Sequence, residues 1–324
     1  MKAIRYRRYG PPGVLELADV ARPVAGADDL LVRVRAASVN PRDYHFMRGT
    51  PYLVRLASGL SRPRQTGFGV DMAGEVEAVG GNVTAFRLGD EVFGYRDGAL
   101  AEYVTVGQDA VVLAKPARLS FEQAAAVPVA GFTALQALRD KARVRPGHKV
   151  LVNAAAGGVG TFAVQIAKAL GAEVTGVCST RNVDLVASIG ADHVIDYTDQ
   201  DFTSAGTRYD AIIDMFGTRT LRQIRRALAP RGVLVAVGGP DRGNWIGPLA
   251  GLAKSAAASP FVSQRLTSML ARPLRADLAA LGEMLETGQI APVIDRTYAL
   301  TEVPEAIRYL ETGHARGKVV ITGI

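Results

Sequence analysis

The residues best spaced for chemistry lie between His148 and Leu170, HKVLVNAAAGGVGTFAVQIAKAL. On the spacing G-x-G-x-x-G the positions read Ala155, Gly157 and Gly160, so an alanine stands where the first glycine is expected. Glycine at 157 lets the backbone approach a phosphate closely, and glycine at 160 lets a helix pack on its strand. The backbone N–H groups of Ala156, Gly157, Gly158 and Val159, with the positive end of the following helix, would then face a pyrophosphate. The pattern alone also occurs in cores that bind nothing, so its setting decides its weight.

An NAD-type unit places Asp or Glu about 20 residues beyond the glycines, where it holds the ribose hydroxyls. Here Val174 to Val183 reads VTGVCSTRNV and holds no acid. Ser179, Thr180 and Arg181 offer two hydroxyls and a guanidinium, which suit a 2′-phosphate and point to NADPH. The same residues would also serve as a polar turn capping the next helix. The one cysteine, Cys178, and the four histidines, His45, His148, His193 and His314, lie apart without ligand spacing, so no metal site is expected.

These residues need elements to hold them. Lys149–Asn153 reads as a strand buried on both faces, and Phe162, Val164, Ile166, Ala167 and Leu170 follow near helical spacing until Gly171. Strand signals recur at Glu173–Cys178, His193–Ile195, Asp210–Asp214 and Gly232–Val237, with helices at Val183–Ile189 and Leu221–Leu228. That alternation implies a parallel sheet with helices on both faces. Residues 1–120 are instead β-rich with Gly and Pro punctuation, which argues for a compact antiparallel barrel. Ser120 and Gln123 make a capping box that opens a helix at Phe121. Further on, Pro273–Glu286 reads as helix, Pro292–Tyr298 as strand, Glu302–Leu310 as helix and Lys318–Thr322 as strand. Residues 239–262, with Trp245, read as a cap over a site or as a connection.

At 324 residues, 48% hydrophobic and 21% charged, the chain has the length and composition of a globular protein of two domains. Its net charge of +7 is spread without a long basic run or interleaved aromatics, so solvated faces explain it better than nucleic-acid binding. The N-terminus lacks the apolar core of a signal peptide, and the most apolar stretch, Ala124 to Leu138, is broken by Pro128 and Gly131 and is too short to span a bilayer. With a single cysteine, the expectation is a cytoplasmic protein.

Several segments share one further pattern: Ser38-Val-Asn-Pro-Arg-Asp43, Gly69-Val-Asp-Met-Ala-Gly74, Gly89-Asp-Glu-Val-Phe93, Gly98-Ala-Leu-Ala-Glu-Tyr103, Val127-Pro-Val-Ala-Gly-Phe-Thr133, Ala155–Gly160, Gly190-Ala-Asp-His-Val-Ile-Asp-Tyr197 and Gly313-His-Ala-Arg-Gly-Lys318. In this order they resemble the zinc-independent quinone oxidoreductase (zeta-crystallin-like) family of the medium-chain dehydrogenase/reductase superfamily. The resemblance implies an α/β fold with a GroES-like β-barrel domain, residues 1–122 completed by 292–324. A doubly wound parallel-sheet (Rossmann) nucleotide-binding domain, 123–291, is inserted between, with the active site in the cleft. The position of the catalytic cysteine of zinc relatives reads Asn40, and their Gly-His-Glu segment reads Gly69-Val70-Asp71, so the histidine ligand is replaced by Val70.

Without a Lewis acid the easier task is hydride delivery to an acceptor that delocalises charge itself, a quinone or an α,β-unsaturated carbonyl. The resemblance also implies cofactor contacts from Asn40, Thr133, Tyr197, Gly217, Val237, Gly238, Gly239, Ala315 and Arg316, and a homodimer. On the substrate side, Tyr44 and Tyr52 could donate to a carbonyl oxygen beside Asn40, though packing explains either tyrosine equally well. Asp43 and Asp71 read as structural acids more than proton relays, and Trp245 as a wall of an apolar pocket. Two alternatives stay open: an alkenal/enone double-bond reductase for which quinones are incidental, and a non-catalytic NADPH-binding sensor or scaffold.

Overall fold

The computed structural model describes residues 1–238 and 263–324, so the readings of Gly239, of Trp245 and of a cap at 239–262 fall outside the described residues. The chain forms two compact units, one of residues 1–132, 273–288 and 292–324, the other of 133–272 with 289–291. Compared with boundaries drawn at 122 and 292, residues 123–132 and 273–288 join the first unit. Local bonding explains the regrouping. Glu286 Oε1 accepts from the Ala117 N–H at 2.9 Å, Arg275 donates to the Gln108 carbonyl at 2.5 Å, and Leu281 fills the space a Cβ would need at Gly131.

In the first unit β1 (Lys2–Arg5) and β2 (Glu16–Asp19) form an antiparallel pair. The larger sheet is built on β3 (Asp29–Val39), which pairs along one edge with β4 (Asp71–Val79). Its other edge holds β6 (Tyr103–Gly107) and β15 (Lys318–Thr322). Beyond β4 come β5 (Glu91–Tyr95) and β7 (Val112–Ala114). The expected antiparallel arrangement carries one exception: β14 (Ile294–Ala299) runs parallel to β15. The helix Val303–Glu311 connects these two strands, and a crossover of that kind returns the chain in the same direction. Leu30, Val32, Val34, Met72, Val92, Val319 and Ile321 supply the core. Because β3 binds both β4 and β15, it brings the C-terminal tail beside residues 36–39. The helix α1 (Pro41–Arg48) leaves β3 at Asn40, with Pro41 at a position where no N–H is needed.

In the second unit β8 (Lys149–Asn153), β9 (Glu173–Cys178), β10 (His193–Asp196), β11 (Tyr209–Asp214), β12 (Leu228–Ala236) and β13 (Arg265–Ser268) lie in the order β10-β9-β8-β11-β12-β13, all parallel. Counted within the unit this is 3-2-1-4-5-6, the order of dinucleotide-binding sheets, whose switch point falls between β8 and β11. No periodic signal marks β13: Arg265-Leu-Thr-Ser268 contains one apolar residue. The helix that follows β8, Gly158–Ala169, buries Phe162, Val164 and Ile166 and stops before Gly171, at φ +79°. The Ser120 box forms as read, its backbone N–H donating to Gln123 Oε1 at 3.0 Å and its hydroxyl accepting from Gln123 N–H at 3.2 Å.

Candidate active site

The loop after β8 shows how a fingerprint works with alanine first. Ala154 takes the left-handed conformation at φ +64°, and the Ala155 N–H donates to Val177 O at 3.0 Å. The methyl of Ala155 fits because its neighbour on β9 is Gly176, where an added Cβ would come 3.2 Å from it and 2.3 Å from Val186 Cγ1. A Cβ at Gly160 would lie 2.2 Å from the Ala154 carbonyl oxygen, so packing itself demands glycine there. At Gly157 the nearest atom to an added Cβ is the same oxygen at 3.5 Å, an ordinary contact. Packing therefore does not require Gly157. Gly157 stands at the N-terminus of a twelve-residue helix, the positive end of its dipole.

Two residues that the sequence reading passed over organise the rest of this edge. Asp214, buried at the end of β11, accepts through Oδ1 from Asn153 Nδ2 at 2.8 Å, Phe216 N–H at 3.1 Å and Gly217 N–H at 2.9 Å. This ties the turn after β8 to the turn after β11, where Gly217 has φ +64°. The Val237 N–H donates to Asp214 O at 2.9 Å, and a Cβ at Gly238 would lie 2.5 Å from Met215 O, so the turn after β12 closes against the same place. Gly157, Gly217, Val237 and Gly238 thus stand at the carboxyl ends of β8, β11 and β12. Their strand-end position was legible as glycine-rich turns; the Asn153–Asp214 bond was not, because neither residue sits in a motif. Thr133 is buried in the helix Pro128–Leu135.

Beyond β9, Ser179 accepts from Asn182 Nδ2 at 3.1 Å, and the Thr180 and Thr198 hydroxyls lie 3.0 Å apart. Arg181 is exposed, and Tyr197 is 51% exposed with its N–H on Cys178 O. The acid missing at the end of β9 has a counterpart at the end of β10: Asp196 pairs in register with Cys178. Hydrogen bonds from Thr180 and then Thr198 hold its carboxyl below the usual range.

The first unit holds a second polar group, made of buried side chains. Asp71 Oδ2 accepts from the Ser38 hydroxyl and from Asn40 Nδ2, each at 2.9 Å, and Oδ1 accepts from Val129 N–H at 3.1 Å. The Lys318 ammonium donates to Asn40 Oδ1 at 2.5 Å and lies 3.5 Å from Asp71 Oδ2. Asn40 therefore does not cap α1 with its side chain. Asp43 takes the helix start instead, its Oδ2 accepting from Asn40 N–H at 2.8 Å. Asp43 Oδ1 is buried without a hydrogen bond, and burial pushes this carboxyl up to about 7 against the pull of Arg42. Burial likewise lowers Lys318. Tyr44 is half-buried against the core with its ring 4.5 Å from His45, and Tyr52 lies under the Arg55 guanidinium at 4.7 Å. Ala315 is half-buried, and the exposed Arg316 donates its N–H to Asp295.

Among the described residues no three His, Cys, Asp or Glu side chains gather as a metal cage. Asn40 and Asp71 already share the Lys318 ammonium, so a divalent cation does not fit between them.

Comparison with known proteins agrees with both units. Residues 26–117 match the alcohol dehydrogenase GroES-like domain, and 189–321 match the zinc-binding dehydrogenase model. A quinone oxidoreductase structure from Coxiella burnetii is 33% identical over 100% of this chain and 99% of its own, with TM-score 0.87. The Escherichia coli quinone oxidoreductase complexed with NADPH is 25% identical over 99% of this chain and 100% of its own, with TM-score 0.83. The 2-methylene-furan-3-one reductase of Solanum lycopersicum is 34% identical over 99% of this chain and 79% of its own. The fold and the site define an oxidoreductase of the medium-chain superfamily that uses a nicotinamide cofactor. Within that class, the chain belongs to the zinc-independent quinone oxidoreductase family.

Proposed function

We propose that the protein transfers hydride from NADPH to a quinone or an α,β-unsaturated carbonyl, with no metal. The observation that carries this reading is the Lys318 ammonium bonded to Asn40, where zinc relatives place a ligand. An acceptor that spreads negative charge over its own π-system suits such a site. When bound, the reduced nicotinamide supplies the hydride. The chain's own residues bind and orient. Ala156 to Val159 present N–H groups to the pyrophosphate, and Gly217, Val237 and Gly238 form the wall at the switch point. Ser179, Thr180 and Arg181 take the 2′-phosphate, with Tyr197 beside them. Asp196 stays ionised beside them, because Thr180 and Thr198 donate to it. Asn40, with Tyr44 or Tyr52, faces the substrate oxygen, and Thr133, Ala315 and Arg316 complete the cofactor contacts. In this reading residues 1–122 with 292–324 form the catalytic domain and 123–291 the NADPH-binding domain, in a cytoplasmic homodimer. No helix among the described residues is long and apolar enough to cross a membrane.

The tomato relative's name favours a second reading, in which the enone double bond is the natural target and quinones are incidental. Following the absorbance of NADPH and NADH with ortho-quinones, 2-alkenals and vinyl ketones tests both. Faster turnover of quinones with NADPH is expected. Enals outpacing quinones would move the assignment to the second reading, and preference for NADH would reject the 2′-phosphate site.

A further inference from the structure

Lys318 opens β15 and is 3% exposed, a burial that lysine tolerates only when its charge is answered. Three acceptors surround its ammonium: Asn40 Oδ1 at 2.5 Å, Val39 O at 3.3 Å and Asp71 Oδ2 at 3.5 Å. Three N–H bonds facing three acceptors leave none for a substrate. Asp71 is equally committed, to Ser38, Asn40, Val129 and Lys318. Asn40 lies between the two charges, and its amide has two ends of nearly equal shape. Turning it over would set the NH2 against an ammonium and the carbonyl oxygen against a carboxylate, in a site shielded from water. The pair therefore dictates which end of Asn40 points where. One Nδ2 hydrogen goes to Asp71, and the other has no protein partner among the described residues.

We propose that Lys318 is a positioning residue that, with Asp71, locks the Asn40 amide so that its second Nδ2 hydrogen serves as the donor to the substrate's carbonyl oxygen. The proposal rests on the reductase reading for its role in turnover. As hydride forms the new C–H bond, the nicotinamide is oxidised and the substrate's π pair moves onto oxygen. The Asn40 N–H stabilises that oxygen and water supplies the proton. Shielding from water is what makes a single fixed donor effective there.

Two measurements test this. In protein labelled with [15N]asparagine, the Asn40 side-chain hydrogens should exchange with solvent about tenfold faster or more in Lys318→Met, while other asparagine side chains keep their rates; a lost hydrogen bond of ordinary strength gives that factor. Unchanged exchange at Asn40 would overturn the lock. In turnover, Lys318→Met should lower kcat about 100-fold, the lower end of the loss for a removed oxyanion donor, with KM for NADPH nearly unmoved. In the Asn40→Ala background the same change should add less than about threefold, since residues acting as one unit are not additive. Equal losses in both backgrounds would overturn the positioning role. If Lys318→Met does not fold, Lys318→Met/Asp71→Asn, which removes both charges together, takes its place in both measurements. Should the wild-type protein reduce no quinone or enone, the reductase reading falls, and the exchange measurement still decides the lock.

Discussion

The nucleotide loop of the second unit and the buried polar group of the first are built from opposite materials. The loop is backbone: small residues, three of them glycines, and a helix end that presents N–H groups. The group around Asn40 is built mainly of side chains, with two opposite charges 3.5 Å apart and almost no exposure. A backbone site is specified by what must be absent, a Cβ, whereas a side-chain site is specified by partners brought together from β3, β4 and β15. The first kind should fail through sterics and the second through charge.

The largest expected effect is steric. Gly160→Val puts atoms 2.2 Å from Ala154 O, so the loop cannot close on its helix. A destabilisation of about 3 kcal/mol or more, together with loss of NADPH binding, is expected in thermal unfolding and fluorescence titration. A stable variant that binds normally would break the steric half of the comparison.

The charge half predicts a pH dependence. Asp43 is lifted from 3.8 to about 7 in the folded protein, so the fold keeps a proton that the unfolded chain releases. Its contribution to stability is whole below about pH 4 and declines as pH rises to about 7, at no more than about 1.4 kcal/mol per pH unit. Urea midpoints from pH 4 to 8 should therefore fall less steeply in Asp43→Asn than in the wild type. Parallel curves would show that this carboxyl titrates normally.

Smaller effects sharpen the comparison within the cofactor site. Arg181→Ala should weaken NADPH by about tenfold to a hundredfold, the value of a charge-assisted hydrogen bond, and leave NADH unchanged. Equal losses for both would point instead to a plain helix-capping turn. Smallest is Gly157→Ala, whose methyl meets only an ordinary 3.5 Å contact. Its melting temperature should match the wild type while NADPH binds several-fold less tightly, since a methyl there occupies the phosphate's space. Unaltered binding would mean that the phosphate does not approach Gly157.

The same contrast explains what the sequence disclosed. The 3-2-1-4-5-6 sheet was legible through apolar runs and Gly-rich turns, except for β13, whose RLTS carries little periodic signal. The loop was legible because glycine spacing is local. Lys318 was visible only as the end of a tail motif, since its partners Asn40 and Asp71 lie hundreds of residues away and no pattern announces a buried ammonium. Asn153 and Asp214 escaped for the same reason, 61 residues apart and joined by one hydrogen bond.

The central claim is that this chain reduces conjugated acceptors with a nicotinamide and without a metal. The direct measurement is NADPH consumption with an ortho-quinone or a vinyl ketone, before and after exhaustive treatment with a strong chelator. The account predicts the same rate in both. Activity that disappears on chelation and returns with zinc would contradict it.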